Sequence, residues 1–315
     1  MNDMCQKEIT VSVVMATYNG EKFISEQLES ILGQSSKVDE IIIVDDVSRD
    51  DTQKVLEQYQ GKYTGLIKYY VNEKNKGYAR NFWDAIKKAK GDIIFLSDQD
   101  DVWEKDKVET VKEIFINNEK ILTLNTAYKL IDSFGNDIHD YKNIHFKNNK
   151  KLKKISFKHF VKSPRYPGMA MAFRKNLLLE LVDIDEKLIT AHDWMLNQCA
   201  AKNEGMFFWD KVTTHYRQHG NNTYGMNSLL DKTKLFLARV KVIEDEIRNF
   251  TSLSVLYGND ELFIRKMKQV AQKRLEYFKG KKILKILLYY LLHMRYIALR
   301  GGLGDVYIAL KCKKV

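Results

Sequence analysis

Three aspartates stand within four positions of the stretch FLSDQDDVWEKDK, at residues 95–107. Asp98, Asp100 and Asp101 follow an apolar run that has the composition of a buried strand. Carboxylates this close repel one another, and their burial is costly unless a positive charge lies among them. Carboxylate oxygens suit Mg²⁺ and Mn²⁺, and an Asp-x-Asp pair can hold a diphosphate through the metal. The stretch therefore predicts a divalent-cation site.

Helix capping is a second interpretation of the same aspartates. The pattern EKDKVETVKEIF that follows is helical, and acids favour helix N-termini. We expect one of the three, Asp100 or Asp101, to be the cap. One helix has no use for three caps, so the cation site remains the prediction for the cluster.

The elements that must position these residues alternate regularly from residue 9 to 128. Short runs rich in β-branched residues predict strands at 9–16, 40–45, 66–71, 92–97 and 121–128. Between most of them lie amphipathic helical patterns, and Gly91 stands where a glycine beyond the third helix belongs. This alternation, with nearly continuous apolar strands, predicts a parallel sheet covered by helices on both faces.

The rest of the chain changes character twice. Residues 129–165 are polar and rich in Lys and Asn, which predicts a mobile excursion with a little structure around ISFKHFVK. Further along, the patterns predict a strand in 168–175, a helix in 193–202, and strand and loop in 206–219. From residue 228 onward the pattern is helical almost throughout, so we divide the chain into 1–227 and 228–315.

Polar clusters follow four of the predicted strands, where ligands bind in open α/β sheets. The first three are Thr17-Tyr18-Asn19-Gly20, Asp45-Asp46 and Asn75-Lys76-Gly77, and the fourth is the aspartate cluster. Turn chemistry explains any single cluster equally well. It does not explain four in succession, so the strand ends predict one ligand site.

Composition limits the compartment and the partners. Lys and Arg number 52 against 41 Asp and Glu, a net charge of +11, which fits anionic lipid or phosphorylated small molecules. Nucleic acid is not expected, because no zinc-finger, RNP-like or helix-turn-helix pattern is found. Three dispersed cysteines, no signal peptide and no apolar stretch of about 20 residues predict a cytoplasmic protein.

Several stretches together carry a family resemblance: VVMATYNGEKFISEQLESILGQS, IIIVDDVSRDDT, NKGYARNFW, FLSDQDDVWEKDK, HDW and YRQHGNNT. Over residues 9 to about 225 the chain resembles family 2 glycosyltransferases of the GT-A fold, and SDQDDVW resembles their bacterial rhamnosyltransferase-like branch. The resemblance implies a GT-A nucleotide-diphospho-sugar transferase fold. This is a Rossmann-like, mostly parallel sheet with helices on both faces, here with a C-terminal helical extension.

The resemblance also implies an inverting transfer of a sugar from a nucleotide-diphosphate donor to a hydroxyl of a lipid-linked or oligosaccharide acceptor. The first donor expected is dTDP-L-rhamnose, followed by UDP-hexoses, with Mg²⁺ or Mn²⁺ as cofactor. Asp193 would be the general base. Asp98 would hold the ribose or metal, Asp100 would be the main metal ligand, and His219 a late metal or diphosphate ligand. The remaining donor-binding residues implied are Thr17, Tyr18, Asn19, Asp45, Asp46, Asn75, Arg80 and Asn81.

Local sequence leaves other roles open for these residues. Asp193 suits the N-cap of the helix DWMLNQCAAK as well as it suits catalysis. His192 and His219 could be ordinary surface histidines, and Arg80 could pair with an acid on its own helix. A nucleotide-sugar-forming nucleotidyltransferase would carry a Gly-rich loop after the first strand, and TYNGEKF lacks it. A lipid- or polyanion-binding module that is not an enzyme also stays open.

The sequence departs from the family pattern in three places. Val47 replaces the glycine of the usual VDDGS, and because valine disfavours positive φ we expect this loop to differ in shape. His192 stands where the family often has an acid. No Gln-x-x-Arg-Trp follows Asp193 and no membrane span is present, which argues against a processive polymer synthase.

The segment KGKKILKILLYYLLHMRYIALR at 279–300 predicts an amphipathic helix. Lys281, Lys285 and His293 share one face, and Tyr289, Tyr290 and Tyr296 suit an interface. The apolar side is formed by Ile283, Leu284, Leu287, Leu288 and Leu291. Such a helix fits an anionic membrane surface, but packing on the protein's own core or on a second subunit fits equally well.

Overall fold

The computed structural model describes residues 8–138, 146–181, 191–220, 232–258, 262–294, 296–297 and 299–312. These residues form two compact units. The first takes residues 8–138, 146–160, 165–180 and 191–220, and the second takes 161–164, 181 and the described residues from 232 onward. The predicted boundary at residue 228 lies outside the described residues.

Strands and helices alternate through the first unit much as the sequence predicts. The strands are β1 Val11–Thr17, β2 Glu40–Asp45, β3 Ile67–Val71, β4 Ile93–Ser97, β5 Val102–Trp103, β6 Thr123–Ile131, β7 Asp137–Ile138, β8 Leu152–Lys154, β9 Met171–Arg174 and β10 Met206–Arg217. The helices up to residue 202 are α1 Ile24–Leu32, α2 Thr52–Lys62, α3 Tyr78–Ile86, α4 Lys107–Asn117, α5 Phe157–Lys162 and α6 His192–Lys202.

One mixed sheet joins these strands in the order β3-β2-β1-β4-β9-β6-β10-β5, with β7 beside β6 and β8 beside β10. The strands β1 to β4 are parallel where they pair, and so are β6 and β10. β9 runs antiparallel between β4 and β6. β2 and β4 are buried along their whole length, which explains their unbroken apolar sequences. The prediction of an α/β fold with a mostly parallel sheet is confirmed.

Two local predictions are corrected. The stretch 129–165 contains α5, within ISFKHFVK where a little structure was predicted, but it also contributes the end of β6 and two short edge strands that were not predicted. Gly91 does not end the third helix, because α3 already ends at Ile86. A Cβ on Gly91 would lie 2.6 Å from the backbone nitrogen of Ser12, so it is the close approach to β1 that requires glycine there.

Val47, in the loop after β2, has a φ of +65°, although valine disfavours positive φ. The expected difference in shape between this loop and that of the family stays a prediction. Hydrogen bonds on either side maintain the turn, because Ser48 N–H donates to the Asp45 carboxylate and Asn75 Nδ2 donates to the Asp46 carbonyl. A β-branched residue at positive φ is strained, and its neighbours impose the strain.

Val47→Gly should therefore raise the free energy of unfolding by about 1 kcal/mol, since relief of the strain outweighs the entropy that glycine adds to the unfolded chain. Denaturant unfolding measures the change. Val55→Gly, within helix α2, is the matched control and should destabilise the protein. If Val47→Gly lowers the free energy of unfolding as much as Val55→Gly does, the backbone at Val47 is not strained.

The second unit is helical from residue 232, as predicted. Its helices are α7 Lys232–Tyr257, α8 Leu262–Lys279, α9 Ile283–Leu292 and α10 Leu299–Lys311. Its core includes Val240, Phe278 and Ile286, and Asp305 accepts hydrogen bonds from Arg239 and Arg274. None of the helices in the described ranges is long and apolar enough to cross a membrane.

Candidate active site

The carboxyl ends of β1, β2 and β4 meet at one edge of the sheet. Thr17 pairs with Asp45 in the β1–β2 register, and Met15 pairs with Ser97 in the β1–β4 register. The residues that follow these strands are therefore neighbours, as the strand-end clusters predict. Ten of the predicted site residues end or follow β1, β2, β3 and β4, whereas Asp193 lies in α6 and His219 lies two residues after β10.

Asp45 and Asp46 both shape the loops of this edge. The buried Asp45 carboxylate accepts hydrogen bonds from Thr17 Oγ1 at 2.9 Å and from Ser48 N–H at 2.8 Å. The buried Asp46 carboxylate accepts from Asn72 Nδ2, and from the N–H groups of Lys76 and Gly77, each at 2.8 Å. Both side chains thus fix the walls of the site, whatever else they contact.

Asn75, Asn81 and Arg80 continue this wall. Asn75 Nδ2 donates to the Asp46 carbonyl at 3.1 Å. The buried Asn81 donates to the Val44 carbonyl at 2.8 Å, and its own side-chain oxygen accepts from Asn72 at 2.9 Å. Arg80 Nε contacts Asp84 at 3.2 Å on the same helix, which is the ion pair left open by the sequence.

Tyr18 and Asn19 form the more open side. The backbone N–H and carbonyl of Tyr18 are bonded by the side-chain amide of Gln99 at 2.9 and 3.0 Å, while 42% of Tyr18 is exposed. Asn19 has a φ of +51°, and its side-chain oxygen accepts from Arg49 N–H at 2.8 Å. Gln99 links the β1 loop to the aspartate cluster, a role that sequence reasoning missed although Gln99 lies within SDQDD.

The three aspartates of the cluster have different surroundings. Asp100 Oδ2 lies 2.8 Å from His219 Nε2, so the structure brings the predicted main metal ligand and the predicted late ligand together. Asp101 Oδ1 accepts from Arg217 N–H at 3.0 Å, whereas its buried Oδ2 has no hydrogen-bond partner. For Asp98, the described chain supplies no donor to the carboxylate. The N-cap of α4 is Asp106, so the expectation that Asp100 or Asp101 caps this helix is wrong.

Burial makes the cluster electrostatically demanding. It raises the pKa of Asp98 to about 7, with further contributions from the charges of Asp100 and Asp193. Burial and the charges of Asp98 and Asp100 also raise the pKa of Asp101 well above its usual value. These shifts mean that the carboxylates lack compensating positive charge.

Lys107 is a buried cation beside the cluster that sequence reasoning did not single out. Its Nζ donates to Thr214 Oγ1 at 2.8 Å and to the Met169 carbonyl at 3.1 Å, and lies 3.9 Å from the centre of the Trp103 ring. Burial lowers the pKa of Lys107 to about 7, against the opposing effect of Asp101 and Asp98. One lysine with a lowered pKa does not neutralise three carboxylates.

Arg217, the last residue of β10, holds the cluster's backbone in place. Its buried guanidinium donates from Nε to the Asp100 carbonyl at 2.8 Å and from Nη2 to Glu26 at 2.6 Å. It also donates to the Asp132 carbonyl at 3.3 Å. Arg217 stands in YRQHGNNT, one of the stretches that carry the family resemblance, two residues before His219. Asn222 of the same stretch lies outside the described residues.

Asp193 lies in the first turn of α6 and is not its N-cap, which is Ala191. The capping interpretation of Asp193 is therefore wrong. Its Oδ2 accepts from Gly168 N–H at 2.9 Å, and its Oδ1 accepts from Trp194 N–H at 2.7 Å. A Cβ on Gly168 would lie 3.2 Å from the Asp193 Cβ, so glycine permits this approach. Since its charge contributes to the raised pKa of Asp98, Asp193 lies within electrostatic range of the cluster.

His192 is a packed, neutral histidine. Its ring stacks on Phe82 with 4.1 Å between ring centres. Burial lowers its pKa to about 4, despite the opposing charge of Asp193, so the ring is uncharged at neutral pH. The residue that replaces the family's frequent acid thus supplies no charge beside Asp193.

A divalent cation fits the residues at this edge. Within the described ranges no three His, Cys, Asp or Glu side chains are arranged as a ready-made metal cage. Mg²⁺, however, is commonly bound through one or two carboxylates together with substrate phosphates. Asp98 and Asp100 can supply such carboxylates, and the unpartnered Asp101 Oδ2 marks the missing positive charge.

The family model and the most similar sequences point to the same protein family. The model of "Glycosyl transferase family 2" matches residues 12–182. The chain is 32% identical over 224 residues to the dTDP-rhamnosyl transferase RfbG of Shigella flexneri, covering 68% of this chain and 74% of that protein. It is 31% identical over 231 residues to the glycosyltransferase MJ1057 of Methanocaldococcus jannaschii, covering 72% and 76%.

Solved structures share the fold. Staphylococcus aureus TarS 1-349 in complex with UDP-GlcNAc aligns with a TM-score of 0.60 at 18% identity, over 97% of this chain and 92% of that one. The mannosyltransferase PcManGT of Pyrobaculum calidifontis, in complex with GDP-Man and Mn²⁺, aligns with a TM-score of 0.55 at 14% identity, over 98% and 88%. With the GT-A sheet, the family model and relatives above 30% identity in agreement, the chain is a glycosyltransferase that belongs to glycosyl transferase family 2.

Proposed function

We propose that this protein is a metal-dependent, inverting and non-processive glycosyltransferase. It moves a sugar from a nucleotide-diphosphate donor to a hydroxyl of a lipid-linked or oligosaccharide acceptor in the synthesis of bacterial surface polysaccharide. The observation that carries the proposal is the placement of Asp193, anchored by Gly168 N–H, within electrostatic range of the Asp98–Asp100 cluster. A base and a diphosphate-binding site are the two parts that such a displacement needs.

Asp193 accepts the proton of the acceptor hydroxyl as its oxygen attacks the anomeric carbon. The bond from that carbon to the donor phosphate breaks, and the nucleotide diphosphate leaves on the opposite face. Asp98 and Asp100, with His219, would hold Mg²⁺ or Mn²⁺, which when bound neutralises the departing diphosphate. Arg80 adds a guanidinium near the phosphates. Tyr18, whose ring is accessible, contacts the base in a pocket shaped by Thr17, Asp45 and Asp46.

The relatives support a nucleotide-sugar donor. The names of three matched proteins specify dTDP-rhamnosyl transfer, a complex with UDP-GlcNAc, and a complex with GDP-Man and Mn²⁺. The rhamnosyl relative is the most similar in sequence of these three, which keeps dTDP-L-rhamnose as the first donor and UDP-hexoses as the second. A lipid-linked acceptor implies, within this proposal, a protein that works in the cytoplasm at the inner face of the membrane.

A donor panel tests this proposal. Purified protein with Mn²⁺ should release dTDP from dTDP-L-rhamnose faster than it releases UDP from UDP-glucose or UDP-galactose. Release of UDP with none of dTDP would reverse the order of donors. Formation of pyrophosphate from a nucleoside triphosphate and a sugar phosphate would indicate a nucleotidyltransferase. If no donor in the panel releases nucleotide diphosphate, the proposed donors are wrong.

A further inference from the structure

Helix α9 packs one of its faces against the other helices of the second unit. Ile286 and Tyr290, four residues apart, are buried, and Ile283 packs beside them on the hydrophobic core. Tyr289 and Tyr296 also pack within this unit. These tyrosines are therefore not free for an outside interface, contrary to the sequence prediction. The alternative that α9 serves the protein's own core is confirmed for this face.

The opposite face of α9 is apolar and exposed. We call it the leucine face: Leu284, Leu287, Leu288 and Leu291, with exposed fractions of 82%, 37%, 59% and 52%. Their spacing of three, one and three residues places them on one stripe of a helix. Leu292 and Met294 beside the stripe are 70% and 51% exposed. Scattered single leucines are ordinary at a surface, but a contiguous stripe indicates an interaction site.

Helix α10, which packs against α9, repeats the pattern. Leu303, Tyr307 and Leu310 are exposed and follow one another at steps of four and three residues. The second unit therefore leaves apolar stripes on two neighbouring helices. Neither helix in the described chain is long enough to span a bilayer. Helices of this kind lie in the plane of a membrane surface.

The charged residues that flank the leucine face along the chain are basic, although Lys279 is already paired with Glu244 of α7 at 2.7 Å. Between Glu276 and Asp305 the sequence contains no acid, while it contains Lys279, Lys281, Lys282, Lys285, Arg295 and Arg300. Lys282 and Lys285 are exposed at the first turn of α9. A two-fold contact between copies of this face would bring these like charges together, which is costly. An anionic surface would instead pair with the exposed Lys282 and Lys285.

We propose that the leucine face is a membrane-docking surface that lies in the headgroup region of an anionic lipid bilayer, with Lys282 and Lys285 on lipid phosphates. The leucines lose their contact with water, and the lysines gain electrostatic attraction. This docking gives the proposed function its membrane partner and rests on that function for its purpose, since a lipid-linked acceptor is presented at the bilayer surface. The lipid contact itself requires no donor or metal.

Co-sedimentation of the full chain with vesicles tests the docking. One set of vesicles is phosphatidylcholine containing phosphatidylglycerol, and the other is phosphatidylcholine alone. The test variant carries Leu284→Gln, Leu288→Gln and Leu291→Gln. The matched control carries Leu179→Gln, Leu237→Gln and Leu262→Gln, which are exposed leucines outside the leucine face. Both variants change only exposed side chains, and circular dichroism checks that they fold.

The wild type and the control should bind the anionic vesicles. The leucine-face variant should have an affinity for them that is lower by roughly tenfold or more. Lys282→Gln with Lys285→Gln should lower binding to anionic vesicles by roughly fivefold per lysine and leave the neutral vesicles unaffected. Absence of wild-type binding, or equal binding by test and control variants, overturns the proposal. So does a wild-type dimer that the leucine-face variant alone makes monomeric, because a second copy is then the occupant.

Donor hydrolysis without vesicles separates this proposal from the proposed function. If the leucine-face variant releases nucleotide diphosphate as the wild type does and has lost vesicle binding, both proposals stand. If wild type binds vesicles but releases no nucleotide from any donor, docking stands and the transferase proposal fails. If the wild type releases nucleotide diphosphate but does not bind anionic vesicles, only the docking proposal fails.

Discussion

Asp193→Asn is expected to reduce sugar transfer by about a hundredfold to ten-thousandfold, the usual contribution of a general base, while the donor still binds. Asparagine keeps the size of the side chain and an oxygen that can accept from Gly168 N–H, so the first turn of α6 should keep its position. It has no carboxylate to take the acceptor's proton. Transfer to acceptor and donor affinity are measured separately, the second by calorimetry with nucleotide diphosphate and Mn²⁺.

Asp39→Asn provides the matched control for Asp193. The Asp39 carboxylate also accepts a backbone hydrogen bond, from Val11 N–H at 2.7 Å, but at the start of β1 and thus at the opposite edge of the sheet. The Asp39→Asn substitution should leave the rate of sugar transfer unchanged. An Asp193→Asn protein that loses donor affinity but keeps its turnover number would show that Asp193 is a donor ligand or a structural residue.

Asp100→Asn should lower activity by about a hundredfold or more at moderate Mn²⁺, because it removes a charge from the cation site. The backbone of the loop should survive, since Arg217 bonds the Asp100 carbonyl and Asp101 through groups that the substitution leaves intact. The measurement is nucleotide release against Mn²⁺ concentration, together with Mn²⁺ affinity in the presence of nucleotide diphosphate.

Asp106→Asn is the control for Asp100. Asp106 precedes α4, forms an ion pair with Lys211 and makes no capping hydrogen bond, so its loss should not change the Mn²⁺ dependence. Full wild-type activity in excess chelator would contradict the cation site. An unchanged Mn²⁺ dependence in Asp100→Asn would assign the cation to other residues.

The sequence by itself determined the elements of the catalytic unit and the edge at which its polar residues meet. Strand–helix alternation places the ends of β1, β2 and β4 together, because parallel strands end at a common edge. Asp98 and Asp100 could therefore be predicted as one cluster. For Asp193 the local sequence suggested a helix N-cap, and only the family resemblance indicated that this carboxylate lies near the cluster.

Only the tertiary structure decided which distant residues complete the site. Lys107 meets Thr214 across 107 positions, and Arg217 meets Asp101 across 116. Local patterns show which side of an element is buried but not what lies opposite it, so nothing in EKDK distinguished Lys107 as a buried lysine. For the same reason the apolar side of α9 could be predicted, but not whether it meets the protein's own core or an outside surface. The fold buried Ile286 and Tyr290 and left the leucine face in water, because one helix face is enough to close the core of the second unit.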